Sequence, residues 1–219
     1  MSDSGTSVAA DGDGGNRDWW LRTILVLQAP RAVFVALRDD SRERAADRSE
    51  QVLLIVLLAG MAGALASPAA GHLKDDNGSY DGLVIAIWAF IAGGLLGTFA
   101  YYGFGAVLHW SVRGFGSQGS YRRTRQVLAF ACVPLVLSLG LWPFKLAIYG
   151  QDLFRRGGSD AGTGAHVFTA LEVGFAVWAV ALLVIGIRAV HGWPWARAGA
   201  ACMLAVAAPT LLGLALSRL

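Results

Sequence analysis

Charge is what this 219-residue sequence has least of. Lys, Arg, Asp and Glu make up 15% of it, against about 25% in soluble domains. Eighteen basic and fifteen acidic residues could coat a soluble domain only thinly, and here they are bunched, leaving long stretches with none. With glycine counted in place of tyrosine, the apolar share reaches roughly 65%, against about 45–50% in soluble domains. An integral membrane protein follows. A net charge of +3 without a recognisable motif gives no footprint for nucleic acid. Cysteine is nearly absent too: Cys132 and Cys202 lie far apart in apolar runs, so neither a disulfide framework nor a CxxC motif is available. There is no HExxH, Walker loop, intramembrane Asp pair or nucleophile–base pair. The Gly-rich stretch Arg113–Gly119 follows no strand, which removes the dinucleotide fingerprint. Enzyme chemistry is disfavoured, and no cofactor is expected.

Residues 1–18 are rich in Gly, Ser and Asp and have no hydrophobic run, which predicts a disordered tail and no secretory signal. Residues 51–219 hold five apolar runs: Gln51–Ala70, Leu83–Leu108, Gln126–Tyr149, Phe168–Val190 and Ala198–Leu216. Each approaches or exceeds the ~20 residues needed to cross hydrocarbon. The expected fold is an all-α bundle of five transmembrane helices, with Pro134 and Pro143 bending the third and Pro209 the fifth. Thirteen of the eighteen Lys and Arg residues fall in the N-terminal segment, the second connection and the fourth. The positive-inside rule therefore puts the N-terminus in the cytoplasm and the C-terminus outside.

Residues 19–50 mix Trp19, Trp20, Ile24, Leu27, Phe34 and Leu37 with Arg22, Arg31 and Arg38, and Pro30 divides them. Two readings stay open. Short amphipathic helices could lie in the headgroup boundary with their arginines on anionic lipid, or the strip could pack on the cytoplasmic mouth of the bundle.

Lys145 and Glu172 are the ionisable residues, histidine aside, well inside the runs. Each sits about 6 Å from the outer boundary at helical rise. A charge at such depth is costly unless paired or hydrated. Structural pinning of two helices, snorkelling to the interface and a solute or proton pathway are the possible roles. Gly93 and Gly97 form a GxxxG face suited to close helix packing, within the chain or between copies. His109, His191, Cys132 and Cys202 share the cytoplasmic leaflet. No two have metal-motif spacing, so hydrogen-bonded histidines and buried thiols are expected and no metal is.

The segment Leu108-His109 followed by Gly116-Ser117-Gln118-Gly119-Ser120-Tyr121-Arg122-Arg123-Thr124-Arg125-Gln126 and on to Pro134 resembles the signature region of the Ypt-interacting protein (Yip) family. Ala29-Pro30-Arg31-Ala32-Val33-Phe34 resembles that family's approach to its first span, and His191-Gly192 with Arg197-Ala198 its link between the last two. The resemblance runs from about Trp19 to the C-terminus. It implies a five-span bundle and a non-enzymatic membrane protein. Eukaryotic members associate with prenylated Rab GTPases and shape or sort vesicle membranes. This chain departs from them in its short Asp/Gly-rich tail, and its Ala, Gly and Arg usage reads as bacterial.

The expectation is a bacterial inner-membrane protein that binds anionic lipid or a protein partner through Arg122, Arg123, Arg125, Trp19 and Trp20, and assembles with itself or other membrane proteins. From a different class comes a small transporter or channel using Lys145 and Glu172.

Overall fold

The computed structural model describes residues 23–39, 48–67, 69–75, 81–155 and 163–216, and among these the regular elements are all helical. Residues 1–18, Trp19 and Trp20 lie outside them. After a helical stretch at 23–28 come α1 (Pro30–Ala36) and α2 (Ser49–Leu65). A column follows from α3 (Gly82–Phe99) through a π-helical turn, Ala100–Phe104, into α4 (Gly105–Gly114). The next column is α5 (Tyr121–Ala131), α6 (Val133–Ser138) and α7 (Trp142–Tyr149), and the last two are α8 (Thr163–His191) and α9 (Trp195–Leu216).

Among the described residues three columns are long and apolar enough to cross a membrane: Gly82–Gly114 with 33 residues, Tyr121–Phe154 with 34 and Thr163–His191 with 29. Ser49–Leu65 and Trp195–Ala208 are shorter apolar helices. Only 22% of the most apolar window in Gly82–Gly114, and 28% of that in Thr163–His191, is buried within the chain. Both helices therefore turn most of their large apolar side chains outward, among them Leu83, Phe90, Phe99, Val177 and Val180. An uncovered apolar surface of that extent needs an apolar surrounding.

The third column breaks rather than bends. Cys132 ends α5, Pro134 stands in the first turn of α6, a 3-10 turn fills Leu139–Leu141, and Pro143 stands in the first turn of α7. Proline lacks the N–H that an interior position must donate, but early in a helix nothing is lost, so each proline marks a restart. The second connection is shorter than Trp110–Arg125. Helix continues through Gly114 and stops where Gly116 takes φ +86°, a left-handed conformation that suits glycine. It resumes at Tyr121, because the Ser120 side chain caps α5 by accepting from Arg123 N–H at 3.1 Å.

The N-terminal strip packs on the bundle instead of dipping into lipid at Phe34 and Leu37. Both are buried, with Val26, in a core shared with Val127, Ile187 and Leu108. Phe34 lies against Gly186 on α8, where a Cβ would meet its ring carbon at 3.0 Å. Ile24 stays exposed. This core gathers at the end of the bundle that carries most of the arginines. A smaller cluster of Ile85, Trp142, Leu153 and Phe154 closes the other end.

Gly93 and Gly97 face α2 within the same chain. A Cβ on Gly93 would stand 2.6 Å from Met61 Cα, and one on Gly97 3.3 Å from Gly60 Cα; the partner position, Gly60, would place its own 2.7 Å from Gly97 N. The backbones touch, and no side chain fits between them. Gly97→Val should lower the unfolding free energy of the detergent-solubilised protein by about 1–3 kcal/mol. Gly174→Ala on α8, whose Cβ meets nothing within 4 Å, should not. Equal stability of the two variants would show the α2–α3 contact to be loose.

Candidate functional site: a basic end with a caged arginine

Chain segments distant in sequence meet at the arginine-rich end, and arginines donating to carbonyls join them. Arg38 gives Nε and Nη2 to Ala189 O at 3.0 and 2.6 Å, near the C-terminus of α8. Arg48 gives Nη2 to Ala36 O at 3.1 Å, and Nη1 to Asp39 O at 3.2 Å and to Gln126 Oε1 at 3.4 Å. Arg197 donates to Phe115 O and lies 4.5 Å from the Trp193 ring centroid. Carbonyls at helix C-termini have no partner along the helix and sit at its negative end, so guanidinium groups suit them twice over. Arg38 thus turns onto the protein, which is the packing reading of the two that the sequence leaves open.

The connection 115–120 and the turn after α8 are bound together. Ser117 Oγ accepts from Gly119 N–H at 3.0 Å and lies 3.1 Å from His191 Nδ1. The His191 ring stacks on Trp193 at 4.8 Å. His109 Nδ1 lies 3.4 Å from Thr124 Oγ1, and its ring meets Tyr121 at 5.6 Å. Cys132 and Cys202 sit further along the bundle, lining an apolar cavity. Among the described residues no group of three His, Cys, Asp or Glu could hold a metal ion.

Arg122, Arg123 and Arg125 lie in the first turns of α5 and not on a loop. Three residues apart, Arg122 and Arg125 share a face and line one cleft of about 240 Å³ with Tyr101, Tyr102, Gln126 and Ser49. Arg123 lies about 100° around the helix from Arg122. It stands beside Gly119, its Nη1 3.8 Å from where a Cβ of that residue would be, and close enough to His191 to act on it electrostatically.

Arg125 is enclosed by aromatic faces. Its Cζ is 4.4 Å from the Tyr121 ring centroid, 4.5 Å from that of Tyr102 and 4.9 Å from that of Tyr101. Its Nε and Nη1 are buried without a hydrogen-bond partner among the described residues. The π turn Ala100–Phe104 carries the adjacent Tyr101 and Tyr102 rings, edge to face at 5.1 Å. Such a widened turn is a frequent feature of functional sites. Tyr121 donates its hydroxyl to Tyr102 O at 2.6 Å, tying the cage to that turn. Gly105 leaves room for the arginine stem, since a Cβ there would stand 2.7 Å from Arg125 Cγ. Three ring faces attract the cation but give its N–H groups no acceptor in the ring planes.

A model of the Yip1 domain matches residues 24–217, nearly the whole chain. The chain belongs to the Yip1 domain family. No curated protein and no solved structure matches it. In this Yip1-domain chain, the segments that carry the family resemblance, 108–134 and 191–198, are those that meet at the basic end. No motif in the sequence marks Tyr101, Tyr102, Gln51 or Arg48 as parts of this end. An adjacent tyrosine pair inside an aliphatic run was the available signal for the first two. Gln51 is buried with Oε1 unpartnered among the described residues.

At the opposite end Lys145 Nζ lies 2.9 Å from Glu172 Oε1, with side chains 14% and 22% exposed, and 4.4 Å from the Trp142 ring centroid. The pair joins α7 to α8. Removing one member leaves the other poorly hydrated and unpaired, costing about 1–3 kcal/mol. Glu172→Gln should therefore lower the unfolding temperature, and Lys145→Met with Glu172→Leu should lower it less. Solute flux in vesicles should not change; flux lost in Glu172→Gln would assign the pair to a transport path.

Proposed function

We propose that this Yip1-domain chain is a bacterial cytoplasmic-membrane protein that acts by binding, not catalysis, and holds an anionic phospholipid headgroup at its basic end. The observation that carries the reading is Arg125: a guanidinium caged by three tyrosines, with two buried donors unpartnered among the described residues and Arg122 lining the same cleft. A phosphate diester offers acceptor oxygens in the plane that the rings cannot serve, and guanidinium matches phosphate geometry.

In this reading five helices span the bilayer, with the basic end in the cytoplasmic leaflet. Lys and Arg asymmetry supports that orientation, and the outward apolar faces of the long columns support insertion. At 17 residues α2 is at the lower bound for a span of about 17–25, and α9 has 22. Single cysteines introduced at Tyr121 and Arg218, in a Cys132→Ala/Cys202→Ala background, should label from opposite sides of the membrane. Labelling from the same side would remove the five-span arrangement.

Phosphatidylglycerol should raise the unfolding temperature of the purified protein more than phosphatidylcholine does. Each arginine near an anionic surface contributes about 1 kcal/mol. Arg122→Gln with Arg125→Gln should therefore weaken phosphatidylglycerol binding roughly thirtyfold and erase the preference. A preference that survives in the double variant rules out the headgroup site.

A further inference from the structure

A cavity of about 680 Å³ lies beside the headgroup cleft and is lined almost wholly by apolar atoms. Two residues, Val56 and Tyr101, belong to the walls of both spaces. At its edge stand Val180, Met203 and Val206, all more than half exposed on the apolar outer surface of α8 and α9. The cavity therefore borders the cleft across Val56 and Tyr101 and reaches the bundle's apolar exterior at its side. Small residues leave room in its walls, among them Ala59, Ala129, Ala176, Ala179 and Gly199.

We propose that this cavity holds an acyl chain of the same phospholipid whose phosphate is bound by Arg125, so that headgroup cleft and cavity form one two-part lipid site. The inference rests on the headgroup reading above and adds to it the lipid's second point of attachment. The size lies within the about 300–1,000 Å³ of ligand pockets. A void of this extent deprives its wall atoms of dispersion contacts, and water gains little from walls with so few polar groups. A chain entering from the exterior supplies those contacts while its glycerol and phosphate stay at the cleft. Since a chain in the bilayer is already among hydrocarbon, the gain is packing and not transfer from water, and it discriminates chain length modestly.

Lipid retention by native mass spectrometry tests this, comparing dioleoyl- with dihexanoyl-phosphatidylglycerol on the purified full-length protein. The wild type should retain the long-chain form in preference. Gly199→Phe, at a position whose Cβ meets nothing within 4 Å and which faces the cavity, should reduce that preference about threefold. Gly199→Leu serves if the phenylalanine variant does not fold, and Gly174→Phe, on an exposed site outside the cavity, should leave it unchanged. In the wild type, a diazirine at mid-chain should crosslink within residues 176–184 and 199–206. Crosslinks confined to outward residues such as Phe90 or Leu95, or an undiminished preference in Gly199→Phe, overturn the acyl site. So does a dimer that Gly199→Phe dissociates, because a second copy would then be the occupant. Arg125→Gln separates the two claims. If it loses selectivity for phosphatidylglycerol over phosphatidylcholine while Gly199→Phe keeps its chain preference, only the cavity assignment fails. If it keeps that selectivity, the headgroup reading fails as well.

Discussion

Guanidinium groups donating to backbone carbonyls hold the basic end together, and the bundle's organisation follows from where they do so. Arg38 on Ala189 fastens the N-terminal strip to α8, Arg48 ties Ala36 and Asp39 to Gln126 of α5, and Arg197 draws the turn before α9 onto Phe115. A chain with so few charges uses them where helices stop, because orphan carbonyls collect there and an apolar neighbour cannot satisfy them. The main hydrophobic core lies at that same end. Away from it α2 and α3 touch through small residues, and the cluster around Trp142 closes the far end.

Against that background Arg125 differs in having two buried nitrogens without a partner among the described residues, where Arg123 and Arg188 each have one. Among the described residues no carbonyl reaches its buried Nε and Nη1, although the bundle supplies such partners to Arg38, Arg48 and Arg197 nearby. Instead the π turn, Gly105 and the Tyr121 hydroxyl hold the cation in a ring of aromatic faces. Cation–π attraction of about 0.5–2 kcal/mol holds a guanidinium in position without consuming its hydrogen-bond donors. That leaves an oriented cation able to accept an anion.

How much of this was legible in the sequence differs by feature. The apolar runs were, since length and lack of charge bear directly on crossing hydrocarbon. Helix boundaries were less so. Pro134 and Pro143 read as bends because proline's effect depends on whether it falls inside a helix or at its start, which the fold decides. The helical character of Trp110–Gly114 was hidden by its polar residues, which face the core at Ser111, whose hydroxyl bonds Ala201 O at 2.6 Å. Phe34 and Leu37 were ambiguous because an apolar stripe fits lipid or protein equally well. The three neighbouring arginines of α5 looked equivalent in one dimension, yet helical rotation sends Arg123 towards His191 while Arg122 and Arg125 share a cleft.

The small residues let the bundle combine a firm helix contact with open apolar space. Gly60, Gly93 and Gly97 bring α2 and α3 into backbone contact, which fixes that pair without bulky side chains. The same economy of volume on the inward faces of α8 and α9 leaves the neighbouring cavity unfilled. Had the walls carried leucine where they carry alanine and glycine, the bundle would close on itself and the arginine cage would border solid protein. As built, close packing on one side of α2 and open apolar space on another separate the two demands. One contact supplies rigidity, and the other space can take a flexible chain without disturbing the helices that hold Arg125.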